Sequence, residues 1–410
     1  MIHLFFIFSG FLLSQSSILS INGFGETNNY QNLASCGAGD IELLSTSIGV
    51  GNPSGIATIW QNRNTSLRIS NQLQRLSISS LNTIRNNIDL LSVSFPISNN
   101  KVFQIAINPE QWSQYSIHEI LSSEVIEFNN NNHLYETRYY GRGGYSNFST
   151  TFSQKINEKF SFGISLKNYF GNKFQSDSTY IYDVSMDYNG EQLVNLNSLI
   201  VTNTTFNYHG YGLRFDGIYY KDKIDIGLSY SYSGPFNIKQ KKYFTNNLIQ
   251  SDELKHTISN LNRQFIIGFK NKINKKFGIL AEFKLKKWEN VDNEFLTLKS
   301  QNYDQKKISI GSYYHFLNID NKFFDSVTIR FGSYYKTYEL ISTTHVKDFA
   351  ITFGSGFRYN NRLNSIDLNL IYGHRSFDLY DVQGEKYIDL IIGIEVGEKW
   401  FKRKTVKELK

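Results

Sequence analysis

His118-Glu119 opens like the zinc-protease motif, in which two histidines four residues apart hold a metal and the intervening glutamate acts as base. Position 122 is Ser, so the second ligand is missing. There is no Gly-x-Ser-x-Gly nucleophile elbow, and Gly354-Ser355-Gly356 falls inside a run of alternating side chains, where small residues relieve crowding. Gly141-Arg142-Gly143-Gly144 lacks the Lys-Ser/Thr of a phosphate-cradling loop and reads as a strand bend. The eight histidines are scattered without metal-ligand spacing, and the single Cys36 can close no internal disulfide. No catalytic residue, metal or cofactor is therefore expected.

The elements that carry these residues have a period of two. From about residue 66 onward apolar and polar positions alternate. Near the C-terminus Ile388, Leu390, Ile392, Ile394, Val396 and Trp400 alternate with Asp389, Gly393, Glu395, Gly397 and Lys399, one face suited to lipid and the other to water. The segments 346–360, 364–377 and 223–240 repeat the pattern. A mean hydropathy of −0.36 excludes a bundle of apolar helices but not a barrel, whose strands hide their apolar face by alternation. No linker or change of period divides the chain. The formal charge of +7 is modest for 410 residues and partly lies in the tail 402–410, so no nucleic-acid partner is expected.

About fourteen such segments occur: 66–80, 87–97, 101–117, 134–156, 159–175, 201–220, 223–240, 256–271, 276–290, 306–317, 325–341, 346–360, 364–377 and 386–401. Their connections alternate between short polar turns, such as Ser98-Asn99-Asn100 and Lys221-Asp222, and long stretches at 176–200 and 241–255. An even number of strands with short turns at one end and long connections at the other is the pattern of an all-β, transmembrane, antiparallel up-and-down β-barrel, with both termini in the periplasm. Tyr219-Tyr220, Tyr313-Tyr314, Tyr334-Tyr335 and Trp400-Phe401 stand at segment ends, where rings would form girdles at the lipid headgroups.

The first twenty residues carry an apolar stretch of about a dozen, the length of a secretory h-region. The expected organisation is a signal peptide over 1–23, an N-terminal hatch segment over 24–65, the barrel over 66–401 and a basic periplasmic tail over 402–410. Leu33-Ala34-Ser35-Cys36 has the form of a lipobox but stands too far beyond the apolar run, and Cys36 reads as an ordinary thiol. Asn52-Pro53-Ser54-Gly55 is a turn, with proline fixing φ and glycine permitting a left-handed backbone. Pro109 interrupts the third strand, and proline cannot donate to a ladder, so pairing must break or bulge there.

With its signal segment, its N-terminal plug and an Asn-Pro-Ser in place of Asn-Pro-Ala before the first strand, the chain resembles the long-chain fatty-acid transporter (FadL-like) family. That resemblance implies a Gram-negative outer-membrane channel for hydrophobic small molecules such as long-chain fatty acids. It further implies a hatch occluding the lumen at Asn52 to Gly55, and a lateral exit into the membrane where the third strand kinks, at Pro109. A carboxylate head would need an inward cation, for which Arg214, Lys284, Arg330 and Arg358 are candidates. Each could equally neutralise lumen carboxylates such as Asp216, Glu282 and Asp348. The alternative is a barrel like the PorV-like relatives, acting as a partner in protein secretion or surface attachment. Expected partners are outer-membrane lipid, the barrel-assembly machinery and either a hydrophobic ligand or secreted proteins.

Overall fold

The computed structural model describes residues 20, 26–27, 33–46, 55–62, 64–78, 81–128, 131–186, 192–244, 252–258, 261–288, 304–317, 325–341, 344–360, 363–376 and 384–398. A two-residue strand β1 (Glu26–Thr27) and a one-turn helix α1 (Leu33–Cys36) precede a 3₁₀ turn at Ile56–Gln61. The wall follows as β2 (Thr65–Ile78), β3 (Leu81–Ser98), β4 (Lys101–Phe128), β5 (Asn131–Lys155), β6 (Phe160–Met186), β7 (Gln192–Lys221) and β8 (Ile224–Phe244). It continues as β9 (Asp252–Ile258), β10 (Asn262–Lys272), β11 (Phe277–Trp288), β12 (Gln305–Leu317), β13 (Ser326–Ile341), β14 (Thr344–Tyr359), β15 (Asn364–Ser376) and β16 (Glu385–Glu398). Every neighbour is antiparallel, and pairing of β2 with β16 and of β4 with β5 closes the sheet. The lower part of β8 pairs with β10 and its upper part with β9, so these two form one interrupted stave and the barrel has 14.

The wall is turned inside out relative to a soluble protein. In β16, Ile388 and Ile392 are 40% and 36% exposed, whereas Asp389 and Glu395 are buried in the lumen. Only a lipid exterior makes that distribution favourable. Alternation also divides each tyrosine pair: Tyr314 and Tyr335 face outward, while Tyr313 and Tyr334 point inward and are buried. A girdle can thus draw on only half of each pair, because consecutive strand residues lie on opposite faces. Trp400, Phe401 and the tail lie outside the described residues.

The short turns are built by side chain–backbone chemistry. Asn157 Oδ1 accepts from the amides of Lys159 and Phe160, and Asn274 Oδ1 from those of Lys276 and Phe277, all at 2.8 Å. Asp222 and Asn360 adopt left-handed φ of 47° and 56°, which Asp and Asn tolerate best among residues with a side chain. At the opposite end the expected long loops are largely hairpins instead: β6 runs to Met186 before β7 begins at Gln192, and β8 to Phe244 before β9 begins at Asp252. Those stretches are rich in Tyr, Ile, Val and Thr, which favour strand, and pairing them satisfies backbone groups that a loop would leave to water. A barrel strand spans the bilayer in about 9–11 residues. β4 to β7 are 28, 25, 27 and 30 residues long, so much of each stands outside the membrane.

A bend crosses these long strands. The β4–β5 register shifts between Pro109 and Gln111, and Gly143 and Gly144 lie opposite, with φ of 108° and 157°. The β7–β8 register shifts between Gly210 and Gly212. Next to this line Tyr145, Tyr169, Phe206, Tyr208 and Phe236 pack together, buried.

Candidate functional site

Residues 33–46 thread the lumen, and their path is dictated by a set of long-range polar contacts. α1 is pinned by Asn369, whose Nδ2 donates to Leu33 O at 3.0 Å and whose Oδ1 accepts from Gly37 N at 3.1 Å. Gly39 N donates to Thr352 Oγ1 at 2.7 Å. The amides of Glu42 and Leu43 converge on the Glu282 carboxylate at 3.0 and 2.8 Å. Lys270 Nζ donates to Ser45 O at 2.6 Å, and Arg330 Nε to Thr46 Oγ1 at 2.8 Å. The second limb of the hatch is held in the same way, Ile56 N donating to Asp216 at 3.0 Å and Trp60 N to Ser153 at 3.1 Å.

Ion pairs reinforce this path. Glu42 accepts from Arg214 and, at 2.7 Å, from Lys284. Arg214 in turn grips Asp216 through Nε and Nη2 at 2.8 and 3.0 Å. Asp40 pairs with Lys307. All of these groups are largely buried, where charges are tolerated only as hydrogen-bonded pairs. Apolar contacts complete the seat. Leu33, Ile41, Leu43 and Leu44 are buried, at about 1.5–3 kcal/mol each. They fit because the facing wall positions are glycines: a Cβ at Gly268 would meet Leu44 at 3.2 Å, and one at Gly227 would meet Leu43 at 2.7 Å.

The wall itself has a seam. β3 and β4 pair only from Leu91↔Ile107 to Ser98↔Lys101, although both strands run on past that point. β1 lies against the open edge, Glu26 opposite Trp112 and Thr27 opposite Gln111. Ser20 joins the same edge, accepting from Ser113 Oγ and from Gln114 N. While the backbone of Glu26 sits on β4, its carboxylate accepts from Arg85 of β3 at 3.1 Å and from Arg375 of β15 at 2.5 Å. One residue thereby stitches both sides of the seam.

Two small cavities lie beside the hatch among the described residues. One cavity of about 70 Å³ is lined by Glu42, Arg68, Gln104, Lys167, Arg214 and neighbours. A second, of about 20 Å³, lies among Glu110, Lys167, Lys286, Tyr145 and Tyr169. Both are far below the roughly 300–1,000 Å³ of a drug-sized ligand pocket, and charged groups line each.

Of the residues singled out from sequence, Arg214 and Lys284 hold the hatch through Glu42, and Arg330 bridges Thr46 and Asp367, the latter at 2.8 Å. Arg358 is buried in the wall opposite Ser326 and Ser365. Pro109 stands two residues beyond the last β3–β4 pair. Asn52, Pro53 and Ser54 lie outside the described residues. Gly55 has φ −76° and ψ 160°, so it is not there for a left-handed backbone. A Cβ would meet Leu43 O at 2.7 Å and Asp216 Oδ2 at 2.9 Å, and close approach is what requires glycine. Cys36 is buried in the hatch, and burial pushes its thiol up, away from reactivity. Among the described residues no group of three or more His, Cys, Asp and Glu is placed to hold a metal. Sequence reasoning missed Glu26, Asp40 and Glu42. For Asp40 and Glu42 the signal was two acids in an otherwise small and largely apolar stretch, 33–46, behind a barrel wall that carries inward Lys and Arg.

The latch should respond to acid. Burial acts to raise the Glu42 carboxyl, but Lys284 and Arg214 overcome it and hold the group well below the usual carboxylate range. Glu26 is likewise pulled down to about 2, Arg375 and Arg85 outweighing burial. Asp40 is shifted up, burial outweighing Lys307, and so favours docking on protonation. For the two depressed groups the stabilisation is complete above their unfolded value of 4.5 and is lost as pH falls through the folded value. Protease protection of the hatch is therefore expected not to fall between pH 7 and about 5 and to decline between roughly 4.5 and 2. Loss of protection already at pH 6 would contradict the Glu26 and Glu42 assignment.

The family described as BamG matches residues 1–407. No curated protein matches the chain. Among solved structures, the monoaromatic hydrocarbon channel CymD is 14% identical with a TM-score of 0.56, covering 90% of this chain and 97% of its own. A Pseudomonas aeruginosa FadL homologue is 11% identical at a TM-score of 0.57, covering 90% and 99%. The P. putida toluene transporter TodX is 12% identical at 0.55, covering 91% and 100%. These neighbours are channels and transporters for hydrophobic compounds, and the chain has their FadL-like barrel fold.

Proposed function

Because the chain belongs to the BamG family and carries the FadL-like barrel, we propose that it is a plugged, non-enzymatic outer-membrane barrel that serves as a partner for other envelope proteins, in secretion or surface attachment. The firmly seated hatch carries this reading. Among the described residues, a hatch held by Glu42, Asp40 and Asn369 has cavities of about 70 and 20 Å³ beside it, and Arg214, Lys284 and Arg330, considered for a ligand head, are engaged in ion pairs. The interacting parts are then the long hairpins of β4 to β9, which supply an extended rim on one flank and which we place at the cell exterior.

The β3–β4 seam favours a second reading, a hydrophobic-compound channel with the hatch as gate and lateral exit past Pro109. One variant separates the two. Trp60→Cys with Ser153→Cys, at a site where the residue 60 amide already donates to the residue 153 side chain at 3.1 Å, is designed to cross-link the hatch to the wall. The locked barrel is expected to support surface-protein levels like the parent, and to leave uptake of fluorescent fatty acid and of toluene as low as in cells lacking the protein. Uptake that the parent confers and that the lock, or Pro109→Val, abolishes would establish the channel instead.

A further inference from the structure

Inward lysines crowd one side of the lumen wall. Lys284 of β11 faces Lys307 of β12, and Lys307 faces Lys336 of β13. Like charges directly opposite on antiparallel strands are destabilising, so each calls for a counter-charge. The hatch supplies Glu42 to Lys284 and Asp40 to Lys307, and the wall sets Asp348 opposite Lys336.

Lys286, the next inward residue of β11, is treated differently. It is only 5% exposed, yet among the described residues its ammonium donates no hydrogen bond and joins no ion pair. It lies 4.5 Å from the centre of the Trp288 ring, a contact that steadies an ammonium without neutralising it. The adjoining strands place Gln264 and Gln305 opposite it, both neutral amides. The carboxylates whose charge reaches it are Glu110 and Glu42, and both are already paired. Glu110 accepts from Lys167 and from Asn147, and Glu42 from Arg214 and Lys284. Glu282 stands four residues away along the same strand, about 13 Å when extended, with its carboxylate on the hatch amides.

A second buried group shares this condition. Asn262 of β10 is 6% exposed, and its side-chain amide makes no hydrogen bond among the described residues. Lys286 and Asn262 line the same cavity, the one of about 20 Å³ bounded across the lumen by Lys167, Tyr145 and Tyr169. The Tyr169 hydroxyl is itself occupied with Ser233 Oγ at 2.7 Å. Roughly 10–15 Å³ is needed for one water, so this space admits a single particle of that order of size. A water would answer the hydrogen-bonding groups but leave the charge, and a buried ammonium is tolerated only against an opposite charge. Phosphate, sulfate and a carboxylate head have too many atoms for the space.

We propose that this cavity is a halide site, with chloride as the chemical class, in which Lys286 provides the counter-charge and the Asn262 amide a second donor. The ion lies beside the buried rings of Tyr145 and Tyr169 and touches both sides of the lumen, β4 and β6 on one, β10 and β11 on the other. It thereby ties the base of the long hairpins, at the Pro109 bend, to the opposite wall. This role is independent of whether the lumen conducts.

The test follows unfolding of the full-length protein in detergent micelles by urea titration, in chloride, bromide or methanesulfonate at matched pH and ionic strength. Beyond saturation, each tenfold rise in chloride or bromide is expected to lower the unfolded-to-folded ratio about tenfold, as for one bound ion, while methanesulfonate leaves it unchanged. Lys286→Met keeps the volume, removes the charge and should abolish the halide dependence. Asn262→Ala should move the dependence to higher halide. Lys284→Met loosens the hatch but should retain the dependence, which separates a built site from general screening of lumen charge. Crystals of the parent grown in bromide should show an anomalous peak between Lys286 and Asn262, a readout that does not rely on any variant folding. Equal stabilisation by methanesulfonate, halide dependence that survives Lys286→Met or is lost in Lys284→Met, or no bromide peak in the cavity would each overturn the proposal.

Discussion

Arg214→Ala is expected to release the hatch while leaving the barrel standing. The guanidinium is the hub between Glu42 on the hatch and Asp216 on the wall, and its removal leaves Asp216 with only the Ile56 amide and Glu42 with only the Lys284 ammonium and the seat around it. Breaking one side of a buried ion cluster costs about 3–5 kcal/mol, because the abandoned carboxylates stay dehydrated. Undocking the hatch rehydrates Glu42 at no cost to the wall, since the β7 ladder to β6 and β8 is made by backbone groups. Limited proteolysis should therefore cut the hatch rapidly, while the heat-modified gel shift of the barrel is retained. Arg214→Lys keeps one charge but cannot reproduce the fork, and should fall between the two. A hatch as protected in Arg214→Ala as in the parent would refute the hub.

The second large effect separates two neighbouring residues. Ile392 points out at mid-strand, and arginine there should cost about 2–4 kcal/mol in barrel stability, read as loss of assembled protein or a lower unfolding midpoint. Gly393 points in, and a Cβ added there would meet Leu33 Cγ at 3.1 Å. Gly393→Arg should assemble normally and expel α1, exposing the hatch to protease. The same insertion of charge, one residue apart, thus damages either the membrane face or the plug. Equal loss of assembly in both would mean that both faces are packed against protein.

The strands were legible because a barrel wall obeys one local rule: Ile388 to Val396 alternates with its neighbours whatever lies across the sheet. The break at Pro109 was legible for the same reason, proline being a local defect in a ladder. The extent of the hairpins was less so. In 176–183 and 195–200 both faces are open to water, so the alternation that marks a half-buried strand fades while β propensity alone remains. The hatch contacts were not legible at all. Glu42 finds its partners 172 and 242 residues away, and nothing local distinguishes it from a solvated acid. Gly55 was recognised as necessary for the wrong reason, since a steric demand from Leu43 and Asp216 leaves the same sequence mark as a turn.

The separation of those contacts has a consequence for how the molecule is made. Bonds to the hatch come from β5, β7, β10, β11, β12, β13, β14 and β15, at sequence distances of up to 336 residues. Most of its seat does not exist until the strands that carry Thr352 and Asn369 have joined the wall. The loop to be closed is then nearly the whole chain, the slowest class of contact to form. The segment synthesised first must consequently wait in an unsatisfied state, its acids solvated, until the last staves arrive, and its docking reports that the barrel has closed.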